Sequence, residues 1–336
     1  MSKLKLIRQF QHWAGTKQDL VLATVVETRG HTYSKPGGQM VICGHNYQGM
    51  VSGGCLEGDI AEHAQRVLAT GEASLLCYDL RSNAENELIG LGVGCEGEID
   101  LLLQKLSPNN QYQPLSALVE CYQSKSRLDY QLVIDSNRSD VAIGESLLLD
   151  ENSAVVWGNP KLLDLQGLKL FSSSFAPLPR ILVLGAGIDA RPLIELAAAT
   201  GWLVSVSDNR PAMLDALASF DTEHNVRCLP EQLADKVDLG CFDAVVVMSH
   251  HLEKDKQYLK TVCESSVPYI GVLGPVSRTR RLLKEAGLDF EDIKQRLKSP
   301  IGLDIGANSP ETIALSIMSE VQAHHCGRDG ASLTRG

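Results

Sequence analysis

Arg180-Ile181-Leu182-Val183-Leu184-Gly185-Ala186-Gly187-Ile188-Asp189-Ala190 runs an apolar, β-branched segment straight into a Gly-x-Gly-x-x-Ala turn. A short apolar run bounded by glycine reads as a buried strand. Pro192 to Ala199 is helical in pattern, and Leu203 to Ser207 reads as the next strand, ending at Asp208. That acid lies about 20 residues past the glycines, where the dinucleotide fingerprint places it. Strand, glycine turn, helix, strand and acid in this order predict a Rossmann-like, doubly wound parallel sheet. Gly185 and Gly187 would let backbone N–H groups approach a phosphate, and Asp208 would accept from a ribose hydroxyl.

Strand and helix continue to alternate downstream. Asp243 to Met248 is apolar, and Ser249-His250-His251 sits at its carboxyl end, the edge that faces ligands in open α/β sheets. His250 reads there as a ligand residue or as an ordinary loop histidine. Val267 to Leu273 runs into Gly274-Pro275-Val276-Ser277-Arg278, and Arg278, Arg280 and Arg281 open a helix as a phosphate clamp or a solvated face. Pro300 to Gly306 is a glycine-punctuated return, and Pro310 to Ala323 closes the domain as a helix. His324-His325-Cys326 has metal-ligand chemistry, but at a chain end it is not expected to hold metal. The tail 327–336 reads as flexible.

Upstream, Ser172 to Pro179 is small, polar and proline-containing, and reads as the linker between a domain at 1–175 and the Rossmann-like domain at 176–326. Leu20 to Val26 reads as a buried strand. The polar loop Glu27 to Gly38 follows it, and Arg29, His31 and Lys35 there are anion contacts or solvated charges. Gln39 to Cys43 and Tyr47 to Val51 form a hairpin that delivers the chain to Ser52-Gly53-Gly54-Cys55-Leu56-Glu57. Leu56 to Thr70 then has helical periodicity, so Cys55 stands at a helix start, where a thiolate is favoured. Glu57 falls in the first turn, where negative charge suits the helix dipole. A glycine turn delivering a thiol suits an anion or a soft metal centre, and suits equally a buried, inert cysteine beside a tight turn. Leu91 to Glu98 is a second glycine-rich turn, carrying Cys95. Residues 115 to 171 read as a short helix and several strands separated by turns, a β-rich extension of an α/β domain.

Composition bounds the function. The 336 residues carry 31 Lys plus Arg against 41 Asp plus Glu, a net charge of −10. An acidic chain without a basic run argues against nucleic acid or anionic membrane as a partner. No apolar run approaches the roughly 20 residues of a membrane span, and Met1 to Trp13 lacks a signal-peptide core, so a cytoplasmic location is expected. The nine cysteines show no zinc-knuckle spacing.

The motifs together resemble the XdhC/CoxI family of molybdenum-hydroxylase maturation factors. In the first half the resemblance rests on Thr24 to Thr28, Lys35-Pro36-Gly37-Gly38-Gln39-Met40, Ser52 to Glu57 and Gly92-Val93-Gly94-Cys95. In the second it rests on Gly185-Ala186-Gly187, Ser207 to Pro211, Ser249-His250, Tyr269 to Gly274 and Pro300 to Ala307. Departures are Ile188, where the family often has histidine, and Ser249, where it commonly has threonine. The resemblance implies a chaperone that binds molybdenum cofactor, as molybdopterin or its dinucleotide form, and delivers it to an apo molybdenum hydroxylase. It also implies dealings with a cysteine desulfurase, and a homodimer is expected. The cofactor-binding set is then Gly53, Gly54, Cys55, Glu57, Cys95, Gly185, Gly187, Asp208, His250 and Arg278, with Cys55 as the molybdenum contact and the ligand lying between the domains. No catalytic residue is expected. The alternative is an NAD(P)-dependent oxidoreductase using the same fingerprint, with His250 as its acid/base.

Overall fold

The structure, a computed structural model, describes residues 3–80 and 97–335. It divides into two compact units, Met1–Pro177 and Leu178–Gly336.

The first unit is built on β1 (Leu20–Gly30), the centre of a five-stranded antiparallel sheet with order β3-β2-β1-β5-β4. Its other strands are β2 (Gln39–Cys43), β3 (Asn46–Gly49), β4 (Ser74–Asp79) and β5 (Gly97–Leu106). Val21, Ala23 and Val25 point to one face, where Met40, Ile42, Leu101 and Leu103 join them under α2 (Glu57–Thr70). Leu20, Leu22 and Thr24 point to the other face and are also buried. Burial on both faces is why this strand reads as one continuous apolar run rather than an alternating one. Helix α1 (Lys3–Gly15) packs along β2 and β3, burying Leu4, Leu6, Ile7 and Phe10.

After α3 (Leu115–Gln123), four antiparallel strands form a second sheet in the order β8-β7-β6-β9. They are β6 (Leu128–Ser136), β7 (Ser146–Leu149), β8 (Val155–Gly158) and β9 (Leu168–Phe175). Strand β9 corrects the expected linker. Ser172 to Phe175 are not a connector but the second half of a strand, paired with Gln131 back to Leu128 of β6. Phe171 and Phe175 are buried while Ser172 and Ser174 face outward, so the serines are the polar half of an alternating strand. Phe175 sets its ring edge-on to Tyr122 and Tyr130, at centroid distances of 6.0 and 5.9 Å.

In the second unit six strands pair in parallel in the order β12-β11-β10-β13-β14-β15. They are β10 (Arg180–Leu184), β11 (Leu203–Asp208), β12 (His224–Arg227), β13 (Ala244–Val247), β14 (Tyr269–Val272) and β15 (Leu297–Lys298). Alternate residues of β10 serve two cores. Ile181 and Val183 pack with Ala197, Ile317 and Val321, from α4 (Arg191–Thr200) and the C-terminal helix Pro310–His325. Leu182 and Leu184 pack with Leu259, Val262 and Leu282, from the helices Leu252–Cys263 and Val276–Ala286. Helices therefore cover both faces, and the strand order reverses between β10 and β13. Ligands of such sheets bind at the carboxyl ends of the strands at that reversal. The tail carries a short 3₁₀ turn at Leu333–Arg335.

Candidate functional site

The first candidate site is the turn between β3 and α2. Gly53 and Gly54 both take positive φ, +82° and +108°, a conformation side chains resist. What holds them there is Glu57. Its carboxylate is buried, and Oε1 accepts from the backbone N–H of Val51 and of Ser52, each at 2.8 Å. Oε2 accepts from the Ser52 hydroxyl at 2.6 Å and from Gly54 N–H at 3.0 Å. The Ser52 hydroxyl oxygen accepts in turn from Cys55 N–H at 3.2 Å and Leu56 N–H at 2.8 Å, satisfying donors that a helix start would leave open. Burial pushes the Glu57 carboxyl up, but these bonds from Ser52 and Val51 outweigh it, and its pKa is lowered. Glu57 thus spends its oxygens on its own chain and works as a staple rather than a ligand contact.

Cys55 is exposed on this rigid turn. The sequence left open a buried cysteine here, and the thiol is not buried. Beside it, Tyr33 lays its ring 3.3 Å from where a Cβ on Gly53 would stand. The polar loop ahead of β2 and the Gly-Gly-Cys turn therefore meet, with Ser34 donating to Met50 O at 3.2 Å. Within that loop Arg29 is engaged with Glu27 and Glu98, each at 2.7 Å, while His31 and Lys35 are exposed. Cys95 lies outside the described residues.

The second candidate site is the sheet edge at β10 and β13. Gly185, at φ +115°, is required by packing, since a Cβ would stand 2.6 Å from the Ser249 Cα. Gly187 is not conformationally special, with φ at −64°, but a Cβ on it would lie 2.5 Å from Asp189 Oδ1. Asp189 also meets His250 Nε2 at 2.5 Å, and His250 holds a left-handed φ of +61°. A carboxylate therefore stands on the approach to the glycine turn. Asp208 is buried. Its Oδ1 accepts from Arg210 N–H and Nε, and its Oδ2 from Ala186 N–H and Arg210 Nη2. A carboxylate has about four lone-pair directions, and in this structure all are used. Burial raises the Asp208 pKa, but the bonds from Arg210 and Ala186 outweigh it and hold it at about 2. Arg278 is likewise engaged, donating to the fully buried Asp255 at 2.7 Å, whose other oxygen accepts from Ser249. None of these engagements was visible in the spacing.

Among the described residues no group of three or more His, Cys, Asp or Glu side chains is arranged to hold a metal ion, and no helix is long and apolar enough to cross a membrane.

Two family models match, XdhC and CoxI family over residues 13–79 and XdhC Rossmann domain over residues 181–321. The chain is also 31% identical over 324 residues to a probable xanthine dehydrogenase subunit of Bacillus subtilis (strain 168), covering 91% of this chain and 93% of that protein. The chain belongs to the XdhC and CoxI family. Another relative of this XdhC/CoxI chain is "Molybdenum cofactor insertion chaperone PaoD" of Escherichia coli (strain K12). It is 28% identical over 305 residues, covering 90% of this chain and 82% of that protein. A crystal structure described as a xanthine dehydrogenase from Bacillus halodurans superposes with a TM-score of 0.79 at 28% identity, covering 99% of this chain and 98% of that one. The XdhC Rossmann match coincides with the parallel sheet, and the XdhC and CoxI match ends at Asp79, the last residue of β4.

Proposed function

We propose that this XdhC/CoxI protein is a carrier that binds molybdenum cofactor, shields it and delivers it to an apo molybdenum hydroxylase. The observation that carries the reading is Cys55, an exposed thiol on a turn fixed by Glu57 and Ser52, in a chain similar to PaoD over most of its length. Molybdenum cofactor is a pterin bearing a dithiolene that holds an oxidised metal. A thiol is a soft ligand able to add one contact to such a centre. The dithiolene travels with the metal, so the carrier need not supply a full ligand set. A single exposed contact also suits a protein that must give its cargo up, because release breaks one bond rather than a cage.

Glu57 and Ser52 act here by position. By accepting from the N–H groups of Val51, Ser52, Gly54, Cys55 and Leu56 they keep the turn from folding onto the thiol, so Cys55 is presented without reorganisation on binding. The oxidoreductase reading is weaker. It needs phosphate at the glycine turn, where Asp189 stands, and a ribose at Asp208, whose oxygens are engaged.

The test is elemental and pterin analysis of the protein purified from a host that makes the cofactor. Stoichiometric molybdenum and pterin that pass to an apo-hydroxylase on mixing are expected. Bound reduced nicotinamide without molybdenum would favour the oxidoreductase.

A further inference from the structure

A pocket of about 330 Å³ opens beside the Gly-Gly-Cys turn, with Lys3, Tyr33, Ser34, Gly38, Gln39 and Tyr122 in its wall. Gln39 Nε2 is buried there and has no hydrogen-bond partner. Thr24 Oγ1, on a fully buried residue, has none either. The two residues are register partners across β1 and β2, so their side chains stand side by side on one face of the sheet. That face is the one opposite α2, since Ala23 and Met40, the neighbouring register pair, pack in the α2 core. A buried polar group without a partner is costly to a fold. Of the two, Gln39 stands in the pocket wall while Thr24 is fully buried beside it, and the open Gln39 amide points to a ligand that completes it.

The chemistry narrows the ligand. The open group in the wall is neutral, an amide donor. Such a group matches an acceptor on the edge of a heteroaromatic ring. The walls include two aromatic rings, Tyr33 and Tyr122, and Lys3 Nζ lies 4.8 Å from the centroid of the Tyr122 ring. The volume is at the low end of the roughly 300–1,000 Å³ of ligand pockets, enough for a bicyclic ring and too small for a dinucleotide. Tyr33 belongs both to this pocket and to the Gly53 contact, so pocket and thiol share a wall.

We infer that this pocket is the subsite for the pterin ring of the cargo, with Gln39 reading its polar edge and Tyr33 meeting a face. The inference rests on the carrier reading for its ligand, but it is tested without molybdenum. Pterins are fluorescent, so 6-hydroxymethylpterin is titrated into wild type, Gln39→Leu and Cys43→Ser, with thermal melts of each. Wild type should saturate, and Gln39→Leu should bind about tenfold or more weakly. Cys43→Ser, whose thiol is on Gln18, should bind the pterin as wild type does. Gln39→Leu should not melt lower than wild type, because replacing an unpartnered buried polar group by an apolar one is near neutral. A wild type that does not saturate, or a Gln39→Leu that binds as it does, would overturn the subsite. Full molybdenum and pterin retention by Gln39→Leu from a cofactor-producing host would also overturn it while leaving the carrier reading intact. A wild type that binds 6-hydroxymethylpterin but never acquires molybdenum would support the subsite and sink the carrier.

Discussion

Replacing Glu57 by glutamine tests the staple with the smallest possible change of shape. The amide oxygen can keep one pair of bonds, for instance those from Val51 and Ser52 N–H at 2.8 Å. The NH₂ group must then face the Ser52 hydroxyl and Gly54 N–H, two donors that now bond Oε2 at 2.6 and 3.0 Å. Ser52 cannot turn its hydroxyl round to accept, because Cys55 and Leu56 N–H already occupy its oxygen. Two charge-assisted bonds are lost at about 1.5 kcal/mol each, roughly 3 kcal/mol in all. Amide hydrogen exchange reads this locally. The Ser52, Gly54 and Leu56 amides should exchange about a hundredfold faster in Glu57→Gln, while those of β14 keep their rates. The effect has a pH signature. The folded Glu57 pKa lies below its usual 4.5, so its contribution is complete above that value and is lost as pH falls through the folded one. The gap between wild type and Glu57→Gln should therefore be constant at neutral pH and shrink in acid. Exchange within about twofold of wild type at pH 7 would refute the staple.

The second unit supplies three further tests. Gly185→Ala should destabilise by about 3 kcal/mol or more in urea unfolding, because the methyl meets Ser249 backbone at 2.6 Å and the residue sits at φ +115°. Arg278→Ala strands the buried Asp255 charge and should cost about 3 kcal/mol by urea unfolding, a loss expected from breaking a buried pair and not from removing a solvated arginine. Asp208 is held at about 2 against an ordinary 3.8, so it stabilises the fold by roughly 2 kcal/mol above pH 4 and loses this as pH falls towards 2. Urea midpoints of Asp208→Asn should lack that acid limb.

The sequence carried the backbone logic well where one physical cause acted alone. The glycine turn after Leu184 needed small residues for close packing on Ser249, and the surrounding apolar runs needed burial on two faces, so the parallel sheet was legible. Ser172 to Phe175 misled because three serines look like a connector, and only the pairing with β6 shows them as strand, with Ser172 and Ser174 on its outer face. The partners of the candidate site residues were not legible. Asp208, Glu57 and Arg278 all look like ligand groups in a one-dimensional reading, and each is bound to its own chain through partners 2 to 23 residues away. Asp189 and Asp255 carry no spacing signal, being single acids between apolar segments. Thr24 and Gln39 sat inside family-like motifs, but only register makes them neighbours.

Molybdenum and pterin occupancy of Cys55→Ser, compared with wild type and with Cys43→Ser after expression in a cofactor-producing host, tests the central claim most directly. Cys43 is buried at the end of β2, with its thiol on Gln18, and serves as the matched control away from the turn. Serine is a harder and far less acidic ligand than cysteine, so losing one soft contact worth about 1.4 kcal/mol should lower retention about tenfold across a dilution series. At equal folded fraction, Cys43→Ser is expected to retain molybdenum as wild type does and Cys55→Ser to lose it while keeping its melting temperature. Full molybdenum and pterin occupancy in Cys55→Ser at every dilution would contradict the account.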